Sequence, residues 1–140
     1  MRALIIYSSA PKVALLAQGV ADGLEKAGAR VQLLEARLGS DAIIAAPYDL
    51  ICVGSPVVGT FGGRIAEDVD ASIKRTSRLE GKQAAVFVTG GLFGAGKSLR
   101  QLMSLLERQG AWVQDFAKLS SKAEAGEFGR RLEKFLGRSE

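Results

Sequence analysis

Two segments of the chain share one design: Leu24-Glu25-Lys26-Ala27-Gly28-Ala29-Arg30-Val31-Gln32 and Leu106-Glu107-Arg108-Gln109-Gly110-Ala111-Trp112-Val113-Gln114. In each, an amphipathic run stops at a glycine and a β-prone run follows at once. Gly28 and Gly110 sit where a helix needs a left-handed C′ residue, a conformation that a Cβ penalises. A helix that must stop and hand over directly to a strand, twice, restricts the chain to repeated βα units. Function in such a chain is to be sought in the loops.

The remaining periodicity agrees. Arg2–Tyr7 is a short apolar run suited to a strand buried on both faces. From Pro11 the period changes, and Val13, Leu16, Ala17, Val20 and Leu24 form one helical stripe. Pro11 fits a first turn, where its missing N–H is harmless. Arg30–Glu35 reads as the second strand. Between Ala36 and Tyr48, Ser40 or Asp41 is expected to cap a short helix through Ala45, ended by Pro47. Leu50–Val53 reads as a central strand, Gly54–Gly63 as a loop and Arg64–Lys74 as a helix with Ile65, Val69 and Ile73 inward. Gln83–Thr89 is a fourth strand, Gly90–Gly96 a glycine-rich loop, Lys97–Gln109 a helix and Ala111–Phe116 the fifth strand. Phe128, Leu132, Phe135 and Leu136 mark a closing helix from about Lys122. The expected architecture is α/β, a three-layer α/β/α sandwich around a five-stranded parallel sheet with right-handed crossovers. Ligands of such sheets bind outside the carboxyl ends of the strands.

Composition narrows the chemistry. The 140 residues read as a single domain, 1–140. With no histidine, Ser-His-Asp and Cys-His nucleophiles are excluded, as are most zinc sites. No catalytic or metal-ligating set is therefore expected, and redox or group-transfer chemistry would rest on a cofactor. The single Cys52 lies in an apolar run and reads as a core thiol. A net charge of +4 and a pI near 9.5 favour acidic partners, but the cations are scattered. Lys74-Arg75-Thr76-Ser77-Arg78 and Arg130-Arg131 are modest clusters without interleaved aromatics, so nucleic-acid binding is not expected. No apolar run approaches the roughly 20 residues of a membrane span, and Met1–Tyr7 is too short for a signal core. The expected compartment is the cytoplasm.

At three loops the chain resembles the flavodoxin family. Ile5-Ile6-Tyr7-Ser8-Ser9-Ala10-Pro11-Lys12-Val13 stands where flavodoxins carry a strand, S/T-x-T-G-N-T and a helix. Tyr48-Asp49-Leu50-Ile51-Cys52-Val53-Gly54-Ser55-Pro56-Val57-Val58-Gly59 is similar to their Y-D-x-I-x-x-G-[ST]-P-x-x-x-G segment. Val86-Phe87-Val88-Thr89-Gly90-Gly91 is similar to the fourth strand and its loop, and Glu127–Leu132 to the closing helix. The resemblance spans essentially the whole chain. It implies a flavodoxin-like strand order 2-1-3-4-5, flavin mononucleotide (FMN) as cofactor, and electron transfer to a redox partner protein or a small flavin-dependent reduction. It places the phosphate at Ser8, Ser9, Ala10, Pro11, Lys12 and Val13. Ser55, Pro56, Val57, Val58 and Gly59 would flank the ring on one side, and Gly90, Gly91, Leu92, Phe93 and Gly94 on the other. Phe61 and Phe93 are the stacking candidates.

The first loop departs from the family pattern. Flavodoxins hold phosphate with N–H groups at a helix N-terminus and with hydroxyls. Here Ala10 and Val13 each replace a hydroxyl residue, and Pro11 removes an N–H. Each lost hydroxyl bond to a charged phosphate is worth roughly 1.5–3 kcal/mol. Lys12 adds a point charge at a helix start, where a cation is unfavourable unless an anion meets it. The alternative is therefore a flavodoxin-fold binding or regulatory module that has lost FMN. A third possibility comes from Gly91-Leu92-Phe93-Gly94-Ala95-Gly96-Lys97-Ser98, which fits G-x-x-x-x-G-K-[ST] between strand and helix. Little chain follows to complete a nucleotidase. The glycines of all three loops also suit plain tight turns.

Overall fold

Apolar runs too short for helices form one parallel sheet, and the longer amphipathic segments cover both of its faces. The computed structural model describes residues 1–135. The order is β1 (Arg2–Tyr7), α1 (Pro11–Lys26), β2 (Arg30–Glu35), β3 (Ile43–Ile44), β4 (Leu50–Pro56), α2 (Glu67–Lys74) and β5 (Thr76–Ser77). There follow β6 (Gln83–Thr89), α3 (Ala95–Arg108), β7 (Trp112–Lys118), α4 (Lys122–Arg131) and a 3₁₀ turn at Leu132–Phe135. The five-stranded sheet has the order β2-β1-β4-β6-β7. Counting only its own strands, that is 2-1-3-4-5. The two pairings of β1, with β2 and with β4, put the reversal of strand order at its carboxyl end.

Strand alternation divides the core. Ile5, Cys52 and Phe87 point to α1 and α4, where Leu16, Val20, Leu24 and Phe128 complete the layer. Ile6, Val53 and Val86 point to α2 and α3, against Val69, Ile73, Leu102 and Leu106. Each large side chain fully buried there contributes about 1.5–3 kcal/mol. Burial pushes the Cys52 thiol up to about 12, with the charge of Asp115 adding to the rise. Both helix stops form Schellman closures. Gly28 N–H bonds to Glu25 O and Ala29 N–H to Leu24 O, while Gly110 N–H bonds to Glu107 O and Ala111 N–H to Leu106 O. Gly28 and Gly110 have φ of 99° and 89°.

Helices α1 and α4 pack backbone to backbone. A Cβ on Gly23 would overlap the Gly126 carbonyl, and one on Gly129 would overlap the Val20 carbonyl. The capping of α4 fixes this seam. Ser121 Oγ accepts from Glu124 N–H, and Glu124 Oε1 accepts from Ser120 N–H and Oγ–H. These hydrogen bonds from Ser120 hold the Glu124 carboxyl below its ordinary pKa.

The clearest difference from expectation is at Ala36–Tyr48, which holds no helix. Ile43 is buried and extended, pairing in parallel with Thr76 of β5. The Arg75 guanidinium fastens the segment through Asp41 O and Arg37 O. Adjacent β-branched isoleucines favour this extended form. Other boundaries move by a few residues. β4 runs on through Gly54–Pro56, so the second loop starts at Val57. α2 begins at Glu67, because Arg64 pairs with Val58 in an isolated bridge. α3 begins earlier, at Ala95, after left-handed Gly94, and β7 reaches Lys118. Leu136 lies outside the described residues.

Candidate functional site

The carboxyl ends of β1, β4, β6 and β7 open into four loops: Ser8–Ala10, Val57–Ala66, Gly90–Gly94 and Leu119–Ser121. The first is the one in which polar groups converge. Ser8 is buried, donates its N–H to Gly54 O at 3.0 Å and accepts from Ala10 N–H at its Oγ. Ser9 N–H and Oγ–H both donate to one oxygen of Asp68, Oδ2, at 3.2 and 3.0 Å. Ala10 stands at the N-cap of α1 without a side-chain cap bond, and Pro11 follows. The Val13 side chain lies in the core, whereas Pro11 and Lys12 are exposed.

Asp68 thus lies in the first turn of α2 and reaches the start of α1. Both helix starts are positive poles lacking a side-chain cap, so a carboxylate between them is well placed. Its other oxygen, Oδ1, is buried and has no hydrogen-bond partner among the described residues.

The second loop is a tight hairpin. Val58 and Arg64 exchange backbone hydrogen bonds at 2.9 and 3.1 Å, and Gly62 N–H closes on Gly59 O. Phe61 stands at its tip with 80 % of its surface exposed. Two hydroxyls brace the hairpin. Ser55 Oγ, fully buried, accepts from Ala66 N–H and donates to Pro56 O. Ser98 Oγ, also buried, donates to Arg64 O at 2.8 Å.

The third loop locks onto this hairpin. Val57 N–H donates to Thr89 O at 2.9 Å, and Gly62 lies so close that a Cβ there would overlap the Phe93 carbonyl. Pro56, Val57 and Val58 are half-buried, while Gly59, Gly90 and Gly91 are exposed and Gly94 is half-buried. Leu92 and Phe93 project outward, 91 % and 64 % exposed. Thr89 is buried, and its Oγ1 has no partner among the described residues.

The cations near these loops come from separate elements. Arg64 closes the hairpin, the stem of Lys97 covers Gly63, and Lys118 Nζ donates to Gly91 O at 3.2 Å. Among the described residues, no group of three His, Cys, Asp or Glu could hold a metal ion. A cavity of about 320 Å³ lies elsewhere, beside β2 and β3, between Leu34, Ile43, Tyr48 and Arg75. None of the expected ligand-binding residues lines it.

The phosphate of FMN does not fit the first loop as built. The Ser9 N–H and hydroxyl already hold a carboxylate, Ala10 and Val13 bring no hydroxyl, and Pro11 brings no N–H. A dianion there would face the negative charge of Asp68 at close range. Nor is Gly91–Ser98 a phosphate cradle, because Ser98 Oγ is buried on Arg64 O and the loop backbone is packed against the hairpin. Sequence reasoning placed the loops but missed Asp68, Thr89, Arg64 and Lys118. Asp68 carried one signal, an acid in a helix first turn that has no capping side chain.

Comparison with solved structures decides the fold. Flavodoxin 1 from Bacillus cereus superposes with a TM-score of 0.74 at 20 % identity, over 96 % of each chain. The chain has the flavodoxin fold. Megasphaera elsdenii flavodoxin, in its two-electron reduced form, gives 0.73 at 22 % identity, over 96 % of this chain and 99 % of its own. A short-chain flavodoxin associated with a non-canonical PDU bacterial microcompartment gives 0.73 at 18 %, over 97 % and 96 %. No family model and no curated relative matches at the level of sequence. On the flavodoxin fold, the loops described above occupy the pole at which strand order reverses. No helix among the described residues is long and apolar enough to cross a membrane.

Proposed function

We propose that this chain is a flavodoxin-fold binding module that works through its loop face without FMN. The observation that carries this is the Asp68 carboxylate held by Ser9 N–H and Oγ–H at the start of α1. An internal anion there takes two of the donors, Ser9 N–H and Oγ–H, that a phosphate would otherwise engage. The scaffold beneath is intact, and a fold does not bring its usual function with it. The test is a flavin titration of the purified chain, read by visible absorbance and by quenching of flavin fluorescence. FMN is expected to bind no tighter than riboflavin, which lacks the phosphate, and neither tighter than about ten micromolar.

A second function is favoured by two other observations. Thr89 Oγ1 is a buried hydroxyl without a partner among the described residues, and Phe61 and Phe93 are exposed on neighbouring loops. These features suit an FMN protein that passes electrons to a redox partner protein, if Asp68 swings away when the phosphate enters. Submicromolar affinity for FMN, far exceeding that for riboflavin, would establish this function and refute the first.

A further inference from the structure

We propose that the loop face docks a partner protein through an acidic segment that carries large apolar residues. This rests on the reading of the chain as a binding module and gives that module its partner class. Phe61, Leu92 and Phe93 are 80 %, 91 % and 64 % exposed on two adjoining loops. Clustered large apolar side chains held in water mark an interaction site. The backbone that carries them is held in place. The hairpin is closed at Val58–Arg64, and the Gly62–Phe93 backbone contact ties it to the third loop. Little backbone ordering entropy remains to be lost when such anchors bind.

Charge selects the partner. The segments Met1–Ala21, Leu50–Ala66, Gly81–Leu106 and Phe116–Ser121 contain no Asp or Glu, although the chain has 15. The four loops at this pole therefore carry no carboxylate, and the cations beside them are Arg64, Lys97 at the start of α3 and Lys118; Asp115 of β7 is paired with Arg131, and the exposed Glu67 opens α2 beyond the hairpin. Asp68, which reaches this pole from α2, is already held by Ser9. Complementary potential governs encounter and orientation, and the apolar side chains supply the buried centre. A protein fits better than a nucleic acid. Leu92, the most exposed of the three, has no ring face on which a base could stack, and the cations come from three separate elements rather than one continuous track.

The test pans a displayed random dodecapeptide library against the full chain at physiological salt. Enriched peptides are expected to be net acidic and to carry at least one large apolar residue. Their affinity, read by fluorescence anisotropy, should fall about tenfold or more in Leu92→Ser/Phe93→Ser and in Lys97→Glu/Lys118→Glu, and should weaken as salt rises. Both variants are expected to melt within a few degrees of the parent, which separates lost docking from lost folding. The proposal is overturned by no enrichment, by neutral or basic peptides, or by binding that survives both double substitutions. Tighter binding to poly(dT) or to phosphatidylserine vesicles than to the peptides would also overturn it. FMN titrated alongside separates the two claims. Tight FMN binding with peptide binding intact defeats the module reading alone, and no peptide binding with FMN absent defeats the docking face alone.

Discussion

Removing the Asp68 charge should convert the start of α1 into an anion site. A phosphate oxygen bonded to Ser9 would place its charge roughly 4 Å from the Asp68 carboxylate. Repulsion at that distance is about 1 kcal/mol in water and about 4 kcal/mol at an effective dielectric near 20. Asp68 is half-buried, so an intermediate value of about 2 kcal/mol applies, or roughly 30-fold in affinity. Asp68→Asn keeps the shape and removes the charge, whereas Asp68→Ala also frees both Ser9 donors. Both variants should bind FMN roughly 30-fold more tightly than the parent does, while riboflavin binding changes by less than about twofold. Stability moves the other way. Two hydrogen bonds to a charged acceptor are lost in Asp68→Ala, offset in part by removing the buried Oδ1, which has no partner among the described residues. A net loss of about 1–2 kcal/mol is expected from urea unfolding. Isothermal calorimetry with FMN, riboflavin and inorganic phosphate measures the binding. If FMN affinity in both variants stays within about twofold of the parent, Asp68 does not compete for the anion position.

Other substitutions probe the scaffold. Gly129→Ala should destabilise by about 1–3 kcal/mol in urea unfolding, because the new Cβ meets the Val20 carbonyl across the α1–α4 seam. An increase in stability, as helix propensity alone predicts, would show that the seam can open. Ser98→Ala should lower stability by about 1 kcal/mol through the lost bond to Arg64 O and leave equilibrium dialysis with ATP and magnesium blank before and after. Dialysable ATP binding in the parent, abolished by the substitution, would restore the phosphate-cradle reading. Glu124 has a depressed pKa in the fold, so its contribution is present above its ordinary value of 4.5 and fades as pH falls through the lower folded value. Glu124→Gln should therefore flatten the acid limb of a melting-temperature profile, and an unchanged limb would show that the cap carries no such linkage.

The elements were legible wherever burial follows local period. The stripe Val13, Leu16, Ala17, Val20, Leu24 gave α1, and the two glycine stops gave the helix ends. What failed was set by distant partners. Gly54 and Pro56 look like loop residues, yet β4 continues through them because they pair with Tyr7, Phe87 and Thr89, and the Phe87 ring fills the space where a Cβ on Gly54 would stand. Ser40 or Asp41 reads as the cap of a short helix through Ala45, but Arg75 and Thr76, more than 30 residues away, hold Asp41 and an extended Ile43 instead. The loops at the strand ends were equally visible, since their position follows from the alternation of elements. The occupant of the first loop was not. Asp68 bonds to Ser9 across 59 residues, and only the seating of α2 against the sheet turns that one acid toward it.

The buried thiol gives the molecule a silent background for labelling. With its pKa near 12 and no exposure, Cys52 is ionised in fewer than about one molecule in ten thousand at neutral pH, so alkylating reagents pass it by. As the chain has no other cysteine, one introduced at Thr60 or Leu92 becomes the sole reactive handle without any change to the core. A pair of spin labels at those two positions would report, in the unaltered fold, whether the hairpin and the third loop ever part.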